Sequence, residues 1–275
     1  MSGKIEESRP WRGGQWICLG LVGLAITGWL PFTATAARCQ AQSGPMQTAL
    51  IELYTSEGCS SCPPADRWLA DLATQPSLNG KIVPLALHVD YWDRLGWCDR
   101  FAQPGFSARQ RTLTAGQGST TVFTPQVMIN GHTTLDWNRD TVIRQSIATI
   151  NAQPAKADLT LEILPAPGAW RVQIQGRLQP RLSPIHTGVF AALYQNGLSS
   201  RVTAGENAAR QLHHERVTRE LIGPLPVAAD GRFAHDFRFR RPSDADSHDL
   251  GVAAFIQDQT DGHVWQALAL TACRE

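Results

Sequence analysis

Two cysteines three positions apart carry the strongest chemical signal in the sequence. Cys59-Ser60-Ser61-Cys62 is followed at once by Pro63-Pro64. Two thiols at this spacing close a small disulfide ring and can trade that bond with other thiols or disulfides. The attacking species is a thiolate, and a free cysteine, with a pKa of about 8.5, is mostly protonated at neutral pH. A helix beginning just after the motif lowers that value, because its unpaired N–H groups and its dipole favour negative charge. Cys59, just before the first turn, is therefore the expected nucleophile. Cys62 is placed to turn back and resolve the mixed disulfide. Ser60 and Ser61 keep the centre polar, with no basic residue between the sulfurs.

Other residues enter by position. Thr124-Pro125 stands directly before an apolar run. A cis bond there would hold backbone atoms near the sulfurs and let Thr124 face a substrate. The chemistry requires the Cys59 sulfur to be open to solvent and close to Pro125. Asp90 ends an apolar run on the side where α/β sheets place their sites. It is either a proton carrier for Cys62 or a capping residue. Trp92, Trp97 and Phe101 either wall a peptide groove or pack in the interior. Glu57 is expected to cap or flank the loop, and Glu206-Asn207 to make a surface or interdomain contact.

Three rivals to exchange chemistry follow from the same residues. A static Cys59–Cys62 bridge is one. Zinc sites take four ligands, often as two close pairs; the sequence has no second CxxC, and His213-His214 are expected to lie in the other domain, away from Cys59 and Cys62. Copper suits thiolate and imidazole better, with Cys59, Cys62 and His88 as the candidate set. His88 is otherwise a hydrogen-bonded histidine at the sheet edge. A fourth possibility, a protein-interaction module, keeps the scaffold without the redox step.

The flanking elements must position the pair. Residues 49–54 (Ala-Leu-Ile-Glu-Leu-Tyr) predict a buried strand. Apolar residues at Ala65, Trp68, Leu69, Leu72 and Ala73 recur at helical spacing. The two prolines fit only in that helix's first turn. Residues 82–90 read as the next strand, completing a right-handed βαβ unit with parallel strands. Residues 91–104 are aromatic and irregular, and a helix is expected over about 105–116. A strand over 126–129 runs into Asn130-Gly131, a strong hairpin signal. His132 to Trp137 forms the return strand, and a helix from Asn138 or Asp140 continues through Thr149.

This β-α-β-α-β-β-α order resembles the thioredoxin fold, with the CxxC opening the first helix and Thr-Pro preceding the third strand. Ala152 to Lys156 looks like a linker. Beyond it, strand-like runs at 158–164, 169–178, 187–194, 232–239, 250–257 and 263–270 predict an antiparallel sandwich or barrel. Residues 201–222 break the pattern and read as an excursion between strands. The expected class is thus α/β: a thioredoxin-like domain over 48–152, then a smaller β-rich, sandwich-like domain over 153–275.

The N-terminus has a different character. Lys4, Arg9 and Arg12 precede an apolar run from Ile17 to Phe32, which ends in Ala34-Thr35-Ala36. That describes a secretory signal peptide over 1–36, followed by an extension over 37–47. The run is shorter than the ~20 residues that span a bilayer; an uncleaved anchor is the rival. Arg38 before Cys39 argues against a lipid-modified cysteine. Export to the periplasm or beyond takes the chain into an oxidising compartment. Losing Cys18 leaves Cys39, Cys59, Cys62, Cys98 and Cys273, an odd number. A Cys39–Cys273 staple is favoured, because chain ends often meet; Cys98–Cys273 is the alternative. A net charge of +1 gives no pull toward nucleic acid or anionic membrane, and no membrane association is expected after signal cleavage. The expected partners are protein or small-molecule thiols and disulfides. The redox-active Cys59–Cys62 disulfide itself carries the electrons, so no further cofactor is called for.

Ile51-Glu-Leu-Tyr-Thr-Ser-Glu-Gly-Cys-Ser-Ser-Cys-Pro-Pro-Ala-Asp66 resembles the signature of the domain of unknown function 1223 family, secreted bacterial thioredoxin-like proteins. His88-Val-Asp-Tyr-Trp-Asp93, Leu95-Gly-Trp97, Ala108-Arg-Gln110, Thr124-Pro-Gln126 and Ala204-Gly-Glu-Asn207 fit the same family. The resemblance spans about 48 to 270 and implies a thioredoxin-like fold without supplying a substrate. Cys98 stands where the family pattern leads one to expect another residue.

Overall fold

The structure, a computed structural model, describes residues 39–271. The expected signal peptide, Cys18 and Cys273 lie outside the described residues. Strand β1 (Cys39–Gln42) is followed by β2 (Ala49–Thr55), of which every residue is buried. Helix α1 (Pro63–Thr74) leads to β3 (Ile82–His88), also buried throughout. The continuous apolar runs of β2 and β3 suit strands covered on both faces. They pair in parallel from Ala49 opposite Ile82 to Thr55 opposite His88, and α1 is the crossover that a parallel pair needs.

Helix α2 (Pro104–Gly116), strands β4 (Gln126–Ile129) and β5 (His132–Thr134), and helix α3 (Asp140–Asn151) complete the first half in the expected order. The β4–β5 turn places Asn130 and Gly131 at φ 46° and 83°, which is why this dipeptide is found there. The return strand ends at Thr134 rather than Trp137. Leu69 and Leu72 of α1 and Ile143 and Ile147 of α3 bury against Ile51, Leu53 and Val127. On the other face, Phe106 and Leu113 of α2 join Tyr54, Leu85, Leu87, Phe190 and Phe255. Arg109 of α2 grips Glu52 with two hydrogen bonds, 2.7 and 3.0 Å, and so pins α2 to β2.

The second half is rich in strands: β6 (Ala157–Ala166), β7 (Ala169–Leu178), β8 (Thr187–Gln195), β9 (Leu198–Arg201), β10 (Gln211–His214), β11 (Val217–Leu225), β12 (Arg232–Arg240), β13 (Leu250–Asp258) and β14 (Val264–Thr271). A four-stranded antiparallel sheet runs β1-β6-β7-β12, so the 37–47 extension contributes an edge strand. An eight-stranded sheet runs β14-β13-β8-β11-β3-β2-β4-β5 and crosses from one half of the chain to the other. A third core lies between these two sheets, with Leu159, Leu161, Val172, Ile174, Leu193 and Val252.

The expected excursion over 201–222 is corrected. It holds β10 and most of β11, and β11 fills the gap between β8 and β3, where Val217 pairs in parallel with Ala86. Its charged residues and Gly223-Pro224 disguise it, because only Val217 and Thr218 of the strand are fully buried. Among the described residues no helix is long and apolar enough to cross a membrane.

Candidate functional site

Cys59 and Cys62 form a disulfide with Cα atoms 5.4 Å apart, in the loop between β2 and α1. The Cys62 N–H donates to the Cys59 carbonyl at 3.2 Å. Cys62 caps the helix, and Pro63 and Pro64 occupy its first turn. The prolines have no N–H, and the Ala65 and Asp66 N–H groups donate to the Cys62 carbonyl. The Thr124–Pro125 peptide is cis. The Cys59 Sγ lies 3.8 Å from the Thr124 carbonyl oxygen and 3.3 Å from Ser61 Oγ. Cys59, Cys62, Thr124 and Pro125 are therefore brought together.

The expectation of an open Cys59 sulfur is overturned. Cys59 and Cys62 are each 0% exposed, although Ser60 and Ser61 between them face solvent. Three walls close the pair in. Thr124 lies on one side, held by a 2.7 Å hydrogen bond from Trp92 Nε1 to its hydroxyl. Trp92 also stands over Gly58, where an added Cβ would come within 3.3 Å of the Trp92 Cβ. The third wall is the β9–β10 loop from the other half of the chain. Asn207 there donates from its side-chain nitrogen to the Glu57 and Cys59 carbonyls, 2.9 Å each. The Ser60 N–H donates to the Glu206 carboxylate at 3.0 Å.

Behind the disulfide lies a buried polar network. Asp99 accepts from His88 Nδ1 at 2.7 Å and from the backbone N–H groups of Glu57 and Phe101. Glu57 contacts His214 Nε2 at 3.2 Å and accepts from Trp97 Nε1 at 2.7 Å. Asp66 accepts from Thr55 and has His214 Nδ1 3.9 Å away. The two imidazoles sit edge to face, 5.1 Å between centroids. Burial pushes the Glu57 carboxyl up, but hydrogen bonds led by His214 bring it below its ordinary value. Asp99 likewise lies low: burial opposes, and the charge and hydrogen bond of His88 prevail. Burial would lower His88, yet Asp99 holds it above its ordinary value. Burial alone dominates Asp66 and raises it.

The remaining expected residues fall elsewhere. The Asp90 carboxylate accepts a 2.5 Å hydrogen bond from Ser107 of α2, which ties it to that helix. Phe101 is core, packed with Leu198 and Val217, whereas Trp92 and Trp97 flank the CxxC loop. His88 gives Nδ1 to Asp99 while the two sulfurs bond each other, and among the described residues no three His, Cys, Asp or Glu side chains are grouped to hold a metal ion. Cys98 is a free, exposed thiol, which sets aside a Cys98–Cys273 bridge. Cys39 is disulfide-bonded, with its sulfur 3.5 Å from the Thr271 carbonyl; the expected partner, Cys273, lies outside the described residues. Asp66 and Asp99 are not singled out by the sequence, and the expectation that His214 lies apart in the other domain is corrected, because β10 carries it onto Glu57 beside the CxxC loop. Asp66 alone carried a local signal, standing one helical turn beyond Cys62.

A family model described as "Protein of unknown function (DUF1223)" matches residues 50–257. The chain belongs to this family. The match takes in the CxxC loop, Thr124-Pro125 and the Glu206-Asn207 loop together, so the family unit spans both halves of the fold. Among solved structures, the chain is similar to protein AGR_C_4864 from Agrobacterium tumefaciens, at 20% identity and TM-score 0.60, covering 85% of this chain and 98% of that one. It is also similar to HBP35 of Porphyromonas gingivalis, at 15% identity and TM-score 0.64, covering 83% and 76%. These likenesses concern the fold. The comparison with curated proteins gives no match.

Proposed function

We propose that this protein is an exported thiol–disulfide exchange protein of the periplasm or exterior, with Cys59–Cys62 as its redox centre. In this reading residues 48–152 are a thioredoxin-like module and 153–275 a β-rich, sandwich-like partner. The observation that carries it is the disulfide at the β2–α1 junction with the Thr124 carbonyl 3.8 Å from the Cys59 sulfur. In exchange, a partner thiolate attacks Cys59 Sγ. A new S–S bond forms to the partner, the Cys59–Cys62 bond breaks, and Cys62 leaves as a thiolate and takes up a proton. A second partner thiolate then releases Cys59, so two electrons reach the protein and the partner leaves oxidised. The same steps run backward when the protein is the reductant.

The proton role expected of Asp90 passes in this proposal to Asp66, buried beyond Cys62 and held protonated more readily by that burial. Exchange proceeds from a form in which the β9–β10 loop has withdrawn, because an incoming thiolate has no path to a sulfur that is 0% exposed. That same burial favours a second reading, a static structural bridge. Dithiothreitol treatment of the native protein, followed by alkylation and mass analysis, separates the two. Exchange predicts labelling of Cys59 and Cys62 with the circular dichroism unchanged, and reduction of insulin by the reduced protein. A bridge that stays closed until the protein unfolds establishes the static reading.

A further inference from the structure

We infer that Asn207 is a positioning residue for the Cys59–Cys62 pair, acting with Glu206 as a two-armed clamp that holds the redox loop shut. The inference rests on the exchange reading and names what regulates that centre. Asn207 is 0% exposed inside a loop whose neighbours Glu206 and Ala208 are exposed. A buried amide is costly unless paired, and this one spends its donors on two carbonyls of one short loop, those of Glu57 and Cys59. The bond fixes the Cys59 backbone, so the loop cannot swing outward at Cys59 without breaking it. Glu206 adds the second arm by taking the Ser60 N–H. Its carboxylate engages the backbone donor next to Cys59 and brings a negative charge to the same loop, which disfavours a thiolate there.

The clamp sits close and is braced as a unit. Gly205 has φ +72° and lies against Trp97, where an added Cβ would stand 3.3 Å from the Trp97 Cβ. The loop is braced internally by Ala208 N–H to Gly205, Ala209 N–H to Val202 and Arg210 N–H to Asn207 carbonyl bonds. The strand that follows it, β10, carries His214 onto Glu57, whose carbonyl Asn207 also holds. The clamp and the floor of the site are thus tied to one residue.

The test reads the disulfide itself. Asn207→Ala and Glu206→Gln are prepared in the full protein, and the rate of native-state reduction by dithiothreitol is followed by alkylation. Each reduction breaks the Cys59–Cys62 bond, passes two electrons to the protein and leaves the reagent as its cyclic disulfide. Asn207→Ala is expected to speed reduction at least about tenfold. It also shifts the glutathione equilibrium toward the dithiol by about tenfold, ~30 mV for two electrons. Glu206→Gln, an exposed change, is expected to speed reduction severalfold and to move the pH midpoint of Cys59 alkylation downward. A purely structural role would lower stability in urea without moving the potential or that midpoint. Unchanged rates, potential and midpoint in both variants overturn the clamp; if Asn207→Ala fails to fold, Glu206→Gln decides alone. Faster reduction in the variants, with no insulin reduction by any of the proteins, supports the clamp and removes the exchange reading instead.

Discussion

The side-chain amide of Asn207 donates to the Cys59 carbonyl at 2.9 Å across 148 positions of sequence. That bond makes the CxxC loop a product of both halves of the chain. The eight-stranded sheet has the same property, since β11 supplies the strand beside β3. The β9–β10 loop reaches the CxxC because β10 leads, two residues later, into β11.

Removing either sulfur separates their roles. Cys59→Ser is expected to abolish exchange, and Cys62→Ser to trap mixed disulfides on Cys59, visible on non-reducing gels and by mass. Dithiol-driven insulin reduction at the wild-type rate in both variants is incompatible with the proposed centre.

The hydrogen bond to His214 is the largest influence lowering the Glu57 carboxyl. His214→Ala leaves a buried carboxylate without that hydrogen bond, and losing a bond to a charged group costs up to about 3 kcal/mol. Trp97→Phe removes one donor from the same carboxylate and should cost less. Urea unfolding measures both; a smaller loss in His214→Ala than in Trp97→Phe contradicts the assignment of the principal partner.

Stability should fall at both ends of the pH range. Glu57 and Asp99 sit below their ordinary values of 4.5 and 3.8. Their contribution is present above those values and is lost as pH falls through the lowered ones. His88 sits above its ordinary 6.5, so its contribution is full below that value and is lost as pH rises through the raised one. Asp66, raised from 3.8, contributes below 3.8 and loses that as pH climbs through its raised value. It partly offsets the acid-side loss. Asp99→Asn, which takes away the anion facing His88, should flatten the alkaline decline in urea midpoints. A wild-type midpoint that does not change from about pH 6 to 9 contradicts the His88–Asp99 account.

Cys98 should react first with iodoacetamide in the native protein, since it is the free, exposed thiol among the described residues. It reacts slowly for an exposed thiol, because Asp93, 3.6 Å from its sulfur, raises its pKa. Asp93→Asn should speed labelling severalfold at neutral pH, as peptide mapping can show. An unchanged rate would remove Asp93 as the cause.

Sequence patterns located β2, α1, β3, the Asn130-Gly131 turn and most strands of the second half. In these segments burial is continuous or periodic along the chain, so the pattern is local. The same applies to the CxxC and Thr124-Pro125 as candidate partners. β11 escaped because its burial is confined to Val217 and Thr218, which leaves little apolar pattern to read. Asp99 and His214 escaped because a buried acid or imidazole has no sequence signal until its partner is known.

The sequence by itself determined that two thiols would sit at a strand–helix junction in an α/β chain, because spacing, prolines and hydrophobic period are properties of neighbours. Only the tertiary structure decided that these sulfurs are closed off, and by which residues. Solvent access depends on what the rest of the chain lays over a loop. Here that cover includes the β9–β10 loop beside Thr124 and Trp92, and the reach of its Asn207 to Cys59 comes from the pairing of distant strands and from no feature of the motif.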